Sequence, residues 1–228
     1  MMNLPRLDRR LECAAELVKC GASVVDVGTD HAYLPIYLVG SGKCPSALAT
    51  DVNQGPIDRA KINIISYGLS DRISTLKTDG LNGVESFDAD CVMILGMGGE
   101  LIVRIISEAE WLRSADKKVR LVLQPMTHPE YVRKYLFENG FDIVGETVCK
   151  SGKYYDIMAA EYDGRRREYT ELEALIGKIN RARRDDITLE YARHLADIYR
   201  RRAEGLREGG ADASFETAML SELESLLK

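Results

Sequence analysis

Asp26, Asp30 and Asp51 are the residues whose type and spacing invite chemistry. Asp26 lies inside the apolar run Val24–Val27, which is closed by Gly28-Thr29-Asp30-His31-Ala32-Tyr33. An apolar run ended by glycine and followed by a helical stretch reads as a buried parallel strand and the turn at its carboxyl end. Asp51 follows a second short run, Ala47-Leu48-Ala49, about 25 residues beyond Asp26, where a nucleotide-binding α/β sheet holds an acid for ribose hydroxyls. The turn lacks Gly-x-Gly-x-x-Gly, and the carboxylate of Asp30 repels the phosphate that such a turn would cradle at a helix N-terminus.

A cationic, phosphate-free nucleoside suits such an acid-rich pocket, and S-adenosylmethionine, with its sulfonium centre, is the donor that fits. A methyl donor is therefore favoured over a dinucleotide. Two further stretches belong to the same edge. Cys91–Leu95 runs into Gly96-Met97-Gly98-Gly99, and three glycines in four positions leave bare backbone at the carboxyl end of a central strand, where open α/β sheets bind ligands. Asp79-Gly80, after the run Ile73–Leu76, either meets an adenine edge or makes an ordinary Asp-Gly turn. Gln124 and Thr127, beyond Val119–Leu123, have groups to offer a purine edge, whereas His128 has a capping role available locally.

These residues need a sheet to hold them. Residues 6–19 carry Leu7, Leu11, Ala14, Ala15 and Val18 at helical spacing, Pro35 and Pro56 suit the first turns of two more helices, and Pro129 opens another. Phe141–Cys149 and Tyr154–Tyr162 flank Lys150-Ser151-Gly152-Lys153 as a β-hairpin. Five strand–helix units and a terminal hairpin predict a seven-stranded α/β sheet of the methyltransferase kind with an antiparallel last strand, rather than a dehydrogenase with a second βαβαβ half.

From about residue 164 the strand pattern stops. Leu172, Leu175, Ile176 and Ile179, then Ile187 to Leu206, recur near helical spacing; Gly209-Gly210 breaks the run and Phe215 to Leu227 resumes it. The expectation is a two-helix antiparallel coiled-coil arm over 164–228 after a donor-binding domain over 1–163. Residues 165–210 hold 12 basic against 9 acidic side chains in a chain of net charge −5, so Arg181, Arg183, Arg184 and Arg200-Arg201-Arg202 are open to phosphates or to neighbouring acids. Five scattered cysteines predict reduced thiols. Neither a membrane-spanning run nor an apolar signal core is evident, and no His/Cys cluster has metal-ligand spacing; a cytoplasmic protein without metal is expected.

Asp26-Val-Gly-Thr-Asp-His-Ala-Tyr-Leu-Pro35, Ile94-Leu-Gly-Met-Gly-Gly99 and Leu123-Gln-Pro-Met-Thr-His-Pro129 together resemble the bacterial tRNA (adenine-22-N1)-methyltransferases, the TrmK family, over the whole chain. The resemblance implies a class I methyltransferase domain with a coiled-coil arm, S-adenosylmethionine as donor, and N1 of an adenine in tRNA as acceptor, with a monomer expected. It implies that Asp26, Gly28, His31 and Tyr33 line the first-strand side of the donor pocket. Asp51 then holds the ribose, Asp79 and Gly80 approach the donor's adenine, Gly96, Gly98 and Gly99 lie beside the methionine, and Asp30 is the catalytic acid–base residue. Three rivals stay in view. A dehydrogenase needs the glycines this turn lacks, and a non-catalytic RNA-binding module on the same scaffold needs neither Asp30 nor Asp51. A small-molecule methyltransferase has no use for an arm that extends the molecule's reach.

Overall fold

The computed structural model describes residues 4–114 and 117–228. The first part of the chain alternates helices and strands: α1 (Arg9–Leu17), β1 (Val24–Val27), α2 (Tyr33–Gly40), β2 (Ala47–Asp51), α3 (Gln54–Ser66), β3 (Ile73–Lys77), β4 (Cys91–Gly98), α4 (Gly99–Glu108), β5 (Arg120–Thr127) and α5 (Pro129–Glu138). The hairpin β6 (Phe141–Ser151) and β7 (Lys153–Tyr162) follows, then α6 (Glu171–Ile176), α7 (Lys178–Arg183), α8 (Asp186–Glu208) and α9 (Ser214–Leu226).

The seven strands form one sheet in the order β3-β2-β1-β4-β5-β7-β6. Neighbours from β3 to β5 pair parallel, and β7 runs antiparallel to both β5 and β6. The order reverses between β1 and β4, and that switch point is where an open α/β sheet leaves a crevice outside its carboxyl ends. Side chains alternate across the sheet. Val24, Ala47, Ala49 and Met93 join the core under α1, α2 and α3, whereas Val25, Val27, Leu48 and Ile94 join the core under α4 and α5. Both faces are covered, which accounts for strands that read as continuous apolar runs.

Strands β4 and β5 continue past their apolar runs to Gly98 and Thr127, with register shifts between Leu95 and Met97 and between Met97 and Gly98. The extension carries the glycine stretch and the Gln124–Thr127 segment together as one irregular ribbon over the crevice.

After β7 the chain departs from the two-helix expectation. The periodic run from Leu172 is broken at Gly177, whose φ is +90°, and again at Arg184, with φ +49°, so two short helices precede the long pair. Gly177 is required where it stands, because a Cβ there would fall on the Glu146 carboxylate. The pair itself, α8 and α9, packs antiparallel around Leu195, Tyr199, Met219 and Leu223, beside Leu172, Leu175 and Ile176 of α6 and Val148 of the hairpin.

Beside these apolar contacts, the seam between arm and sheet holds a buried polar network. Arg133 on α5 is 0% exposed. Its guanidinium donates to Glu146 Oε1 (2.7 Å) on β6, Asp156 Oδ1 (2.6 Å) on β7, and the Ala174 and Leu175 carbonyls (3.1 and 3.0 Å) at the end of α6. Tyr191 of α8 donates to Asp156 Oδ2 at 2.7 Å, and the Ile179 N–H of α7 donates to Glu146 Oε2 at 3.0 Å. Every helix from α5 to α8 thus meets the hairpin through this network.

Candidate active site

The turn after β1 is built by two backbone donors. Gly28 N–H and Thr29 N–H both donate to the Thr50 carbonyl at 2.8 Å, which folds the chain back over β2. Gly28 has φ +77°, and a Cβ there would strike the methyl of Met97. The positive φ is what requires glycine here, since the end of the flexible Met97 side chain could move aside for a Cβ. Thr29 Oγ accepts from Ala32 N–H at 3.1 Å and so closes the loop that leads into α2, whose first turn has no side-chain cap.

Asp30 instead points outward. Arg59 of α3 donates to one of its carboxylate oxygens, and His31 Nε2 lies 3.2 Å from the other. The His31 ring stacks on Tyr33 with centroids 5.1 Å apart, and Asn63 Nδ2 donates to the His31 carbonyl at 2.9 Å. Helix α3 thus fixes the loop that presents Asp30.

Two cavities meet at Gly28. One, of about 230 Å³, is lined by Asp26, Gly28, Asp30, His31 and Tyr33 together with Arg10 and Leu95. The other, of about 130 Å³, is lined by Gly28, Asp51, Asp79 and Gly80 together with Met97 and Arg104. An elongated ligand crossing the bare backbone of Gly28 would occupy both, one end among carboxylates and the other beside β2 and the loop after β3. Asp51 accepts from Asn53 N–H at 2.7 Å, which orients its carboxylate into the second cavity.

The electrostatics of the first cavity divide its two acids. Burial pushes the Asp26 carboxyl up to about 6, against the lowering effects of the Thr29 hydrogen bond and of Arg10. The Asp30 carboxyl is held below its ordinary value, chiefly by the hydrogen bond from Arg59, with His31 assisting and burial opposing. A cation entering here meets an acid at the rim that is ionised at neutral pH and an acid below it that ionises more readily once the cation has arrived.

Residues 7–158 match a methyltransferase domain family. The tRNA (adenine(22)-N(1))-methyltransferase of Bacillus subtilis is 35% identical over 182 residues, covering 78% of this chain and 74% of that protein. This chain belongs to that methyltransferase family. The crystal structure of the B. subtilis m1A22 tRNA methyltransferase TrmK superposes with a TM-score of 0.80 at 28% identity, over 97% of this chain and 96% of that one. A Streptococcus pneumoniae protein solved in complex with S-adenosyl-L-methionine superposes with a TM-score of 0.86 at 29% identity, over 98% and 100% of the two chains.

The eight expected residues from Asp26 to Gly80 gather around the two cavities, and Gly96 and Gly98 at the end of β4 and Gly99 at the start of α4 do not. Gly99 packs at the start of α4, where a Cβ would come within 2.8 Å of the Thr127 carbonyl and 2.6 Å of that of His128. Gly98 abuts the Thr127 hydroxyl, and Gly96, with φ +77°, makes the bulge. Asp79 gives its carboxylate to Arg104 (2.9 and 3.3 Å), which leaves backbone rather than side chain to face a ligand. Gln124 is fully buried. Its Oε1 accepts from Arg10 Nη1 (2.8 Å) and Gly96 N–H (3.1 Å) while its Nε2 donates to the Pro125 carbonyl, so it braces the β4–β5 ribbon and has no amide to offer a purine.

Sequence reasoning missed the partners Arg10, Arg59 and Arg104 and the steric role of Met97. No periodicity marks them, since each arginine lies on a helix with several other charged positions.

Proposed function

We propose that this chain transfers a methyl group from S-adenosylmethionine to N1 of adenine 22 in tRNA, with residues 1–163 holding donor and base and residues 164–228 holding the rest of the tRNA. The observation that carries the reading is the pair of cavities joined over Gly28, acid-lined at one end and with Asp51 at the other, which suits a cationic nucleoside without phosphates. Asp51 accepts from the ribose hydroxyls, the backbone at Asp79 and Gly80 takes the adenine side, and Asp26 faces the positive end. Gly96, Gly98 and Gly99 serve by shaping the β4–β5 ribbon beside it.

The donor supplies a methyl carbon on a cationic sulfur. The adenine N1 lone pair forms the new N–C bond as the S–C bond breaks, so positive charge passes to the adenine ring. Asp30 is the group placed for that charge. Ionised at neutral pH, its carboxylate accepts a hydrogen bond from the N6 amine, which makes N1 more nucleophilic and stabilises the cationic ring. Its lowered pKa favours charge stabilisation over storage of the N6 proton. N1 is on the Watson–Crick edge, so the base must leave its stack to react. Tyr33, 42% exposed and lining the same cavity, is the aromatic surface at hand.

On the arm, pairing sorts the arginines. Arg181 is tied to Glu173, Arg183 to Asp185, and Arg200 to Asp197 and Glu224. Arg184, Arg201 and Arg202 have no carboxylate within 4 Å among the described residues, Arg201 donating instead to the Asp197 carbonyl, and are the better phosphate ligands. The reading extends to a monomer at work in the cytoplasm, consistent with five cysteines that are all free.

The test is methylation of two unmodified tRNA transcripts, one with adenine and one with guanine at position 22, by the pure protein and labelled donor. The expected product is N1-methyladenosine at position 22 of the first and no label in the second. Equal labelling of both, or label mapped elsewhere, overturns the assignment.

A further inference from the structure

A third cavity, of about 430 Å³, lies between the loop after β5 and the arm. Its body wall includes Met126, His128 and Glu130, and its arm wall includes Ile198, Tyr199 and Arg202. That volume falls in the range of pockets that hold small organic ligands. The walls are fixed before any ligand arrives, because Tyr191, which also lines the cavity, is anchored through Asp156 to the buried Arg133.

Its chemistry is that of a nucleotide. Tyr199 is a mostly buried aromatic side chain, and the Arg202 guanidinium sits 5.6 Å from its ring centroid. Arg202 is exposed and has no carboxylate partner, in contrast to Arg200 two positions earlier. Met126, 38% exposed, offers an apolar surface across from them, and Glu130, whose Oε1 lies 3.1 Å from His128 Nδ1, adds a polar edge. A tyrosine in a cavity wall beside an arginine without a carboxylate partner supplies the aromatic contact and the cation with which proteins hold unstacked bases.

The cavity is also close to the site of reaction. Gln124 binds Arg10, which lines the cavity containing Asp30, and its Nε2 reaches Met126 Sδ at 3.5 Å. One side chain thus spans the interval between the two cavities.

We propose that this body–arm cavity is a second nucleotide subsite, which takes an unstacked base of the tRNA immediately next to the target adenine, against Met126 and Tyr199, with its phosphate on Arg202. The inference rests on the tRNA reading above and adds to it the grip by which the target base is held out of its stack.

Ile198→Trp fills the cavity, and Arg202→Met removes its cation while keeping the bulk. Each variant is expected to raise KM for full-length tRNA about tenfold, with donor affinity and melting temperature unchanged and the salt dependence of tRNA binding shallower for Arg202→Met. An abasic residue at position 21 or 23 should weaken binding to the parent protein about tenfold as well, and to the Ile198→Trp variant not at all. The abasic substitutions and Arg202→Met keep the question open to test if Ile198→Trp fails to fold. Unchanged tRNA affinity in folded variants, or equal abasic penalties in parent and variant, overturns the subsite while leaving methylation of adenine 22 untouched. A parent protein that methylates no tRNA removes the function reading instead, and direct tRNA-binding measurements on the same set still decide the subsite.

Discussion

Asp26, a donor-binding residue in the proposed function, is a buried acid kept at the expense of the fold. Its carboxyl is more basic in the folded protein than in the unfolded chain, so the folded state holds the proton more tightly between about pH 4 and 6. Stability contributed by the neutral form is present at low pH and is lost as pH rises through 6, leaving a cost of roughly 3 kcal/mol in the ligand-free protein at neutral pH. Asp26→Asn is therefore expected to raise the melting temperature at pH 7.5, to leave it unchanged near pH 3.5, and to weaken donor binding. In the parent, donor affinity should fall as pH drops below 6, since a cationic ligand needs the ionised acid. Thermal melts across that range with calorimetry at its ends check both, and an Asn variant less stable at pH 7.5 contradicts the account. The acids themselves are legible in the sequence because an Asp at the carboxyl end of an apolar run has few other uses. Their partners are not legible. Arg59 lies 29 positions from Asp30, and Arg104 lies 25 from Asp79, with nothing local to join them.

At the scale of elements, the joint around Arg133 decides whether the arm is an appendage or part of the body. Removing its guanidinium leaves Glu146 and Asp156 buried and unpaired, and breaking one side of a buried pair in this way costs about 3 to 5 kcal/mol. Arg133→Met should lose about that much in denaturant unfolding, and Tyr191→Phe, which removes a single hydrogen bond to a charged group, about 1.5 to 3 kcal/mol. A loss under about 1 kcal/mol for Arg133→Met would show that water reaches the joint. Truncation at residue 164 strips the Ala174 and Leu175 carbonyls from Arg133, so loss of activity in such a fragment would report on the fold before it reported on tRNA. Sequence pattern located the strands and the helices up to α5 to within a few residues, but it merged α6 and α7 into a two-helix arm and could not foresee this joint. Arg133 looks like any arginine on a helix, and its acids stand on two later strands whose register the hairpin turn sets. The extensions of β4 and β5 were hidden for a related reason, since glycine and proline lower strand propensity and the pairing there survives through bulges.

Across the whole molecule, the order of parts follows from the chain: an open sheet whose switch point leaves a crevice, then a helical pair packed beside α6 and the terminal hairpin. No helix among the described residues is long and apolar enough to cross a membrane. The chain carries a net charge of −5, so tRNA must be drawn to local cations rather than to the molecule at large. In the proposed function, Arg184, Arg202 and the exposed loop holding Asp30 define that path, and the chemistry at its end is assigned to one carboxylate. Single-turnover methylation of an unmodified tRNA by Asp30→Asn, at saturating donor and beside the parent protein, tests this most directly. The ion pair to Arg59 is half exposed and its loss costs under about 1 kcal/mol, so the variant should melt within a few degrees of the parent and bind donor normally. Its rate is expected to fall at least about a hundredfold. A folded, donor-binding Asp30→Asn protein that methylates adenine 22 at close to the parent's rate would contradict the account and leave catalysis to positioning alone.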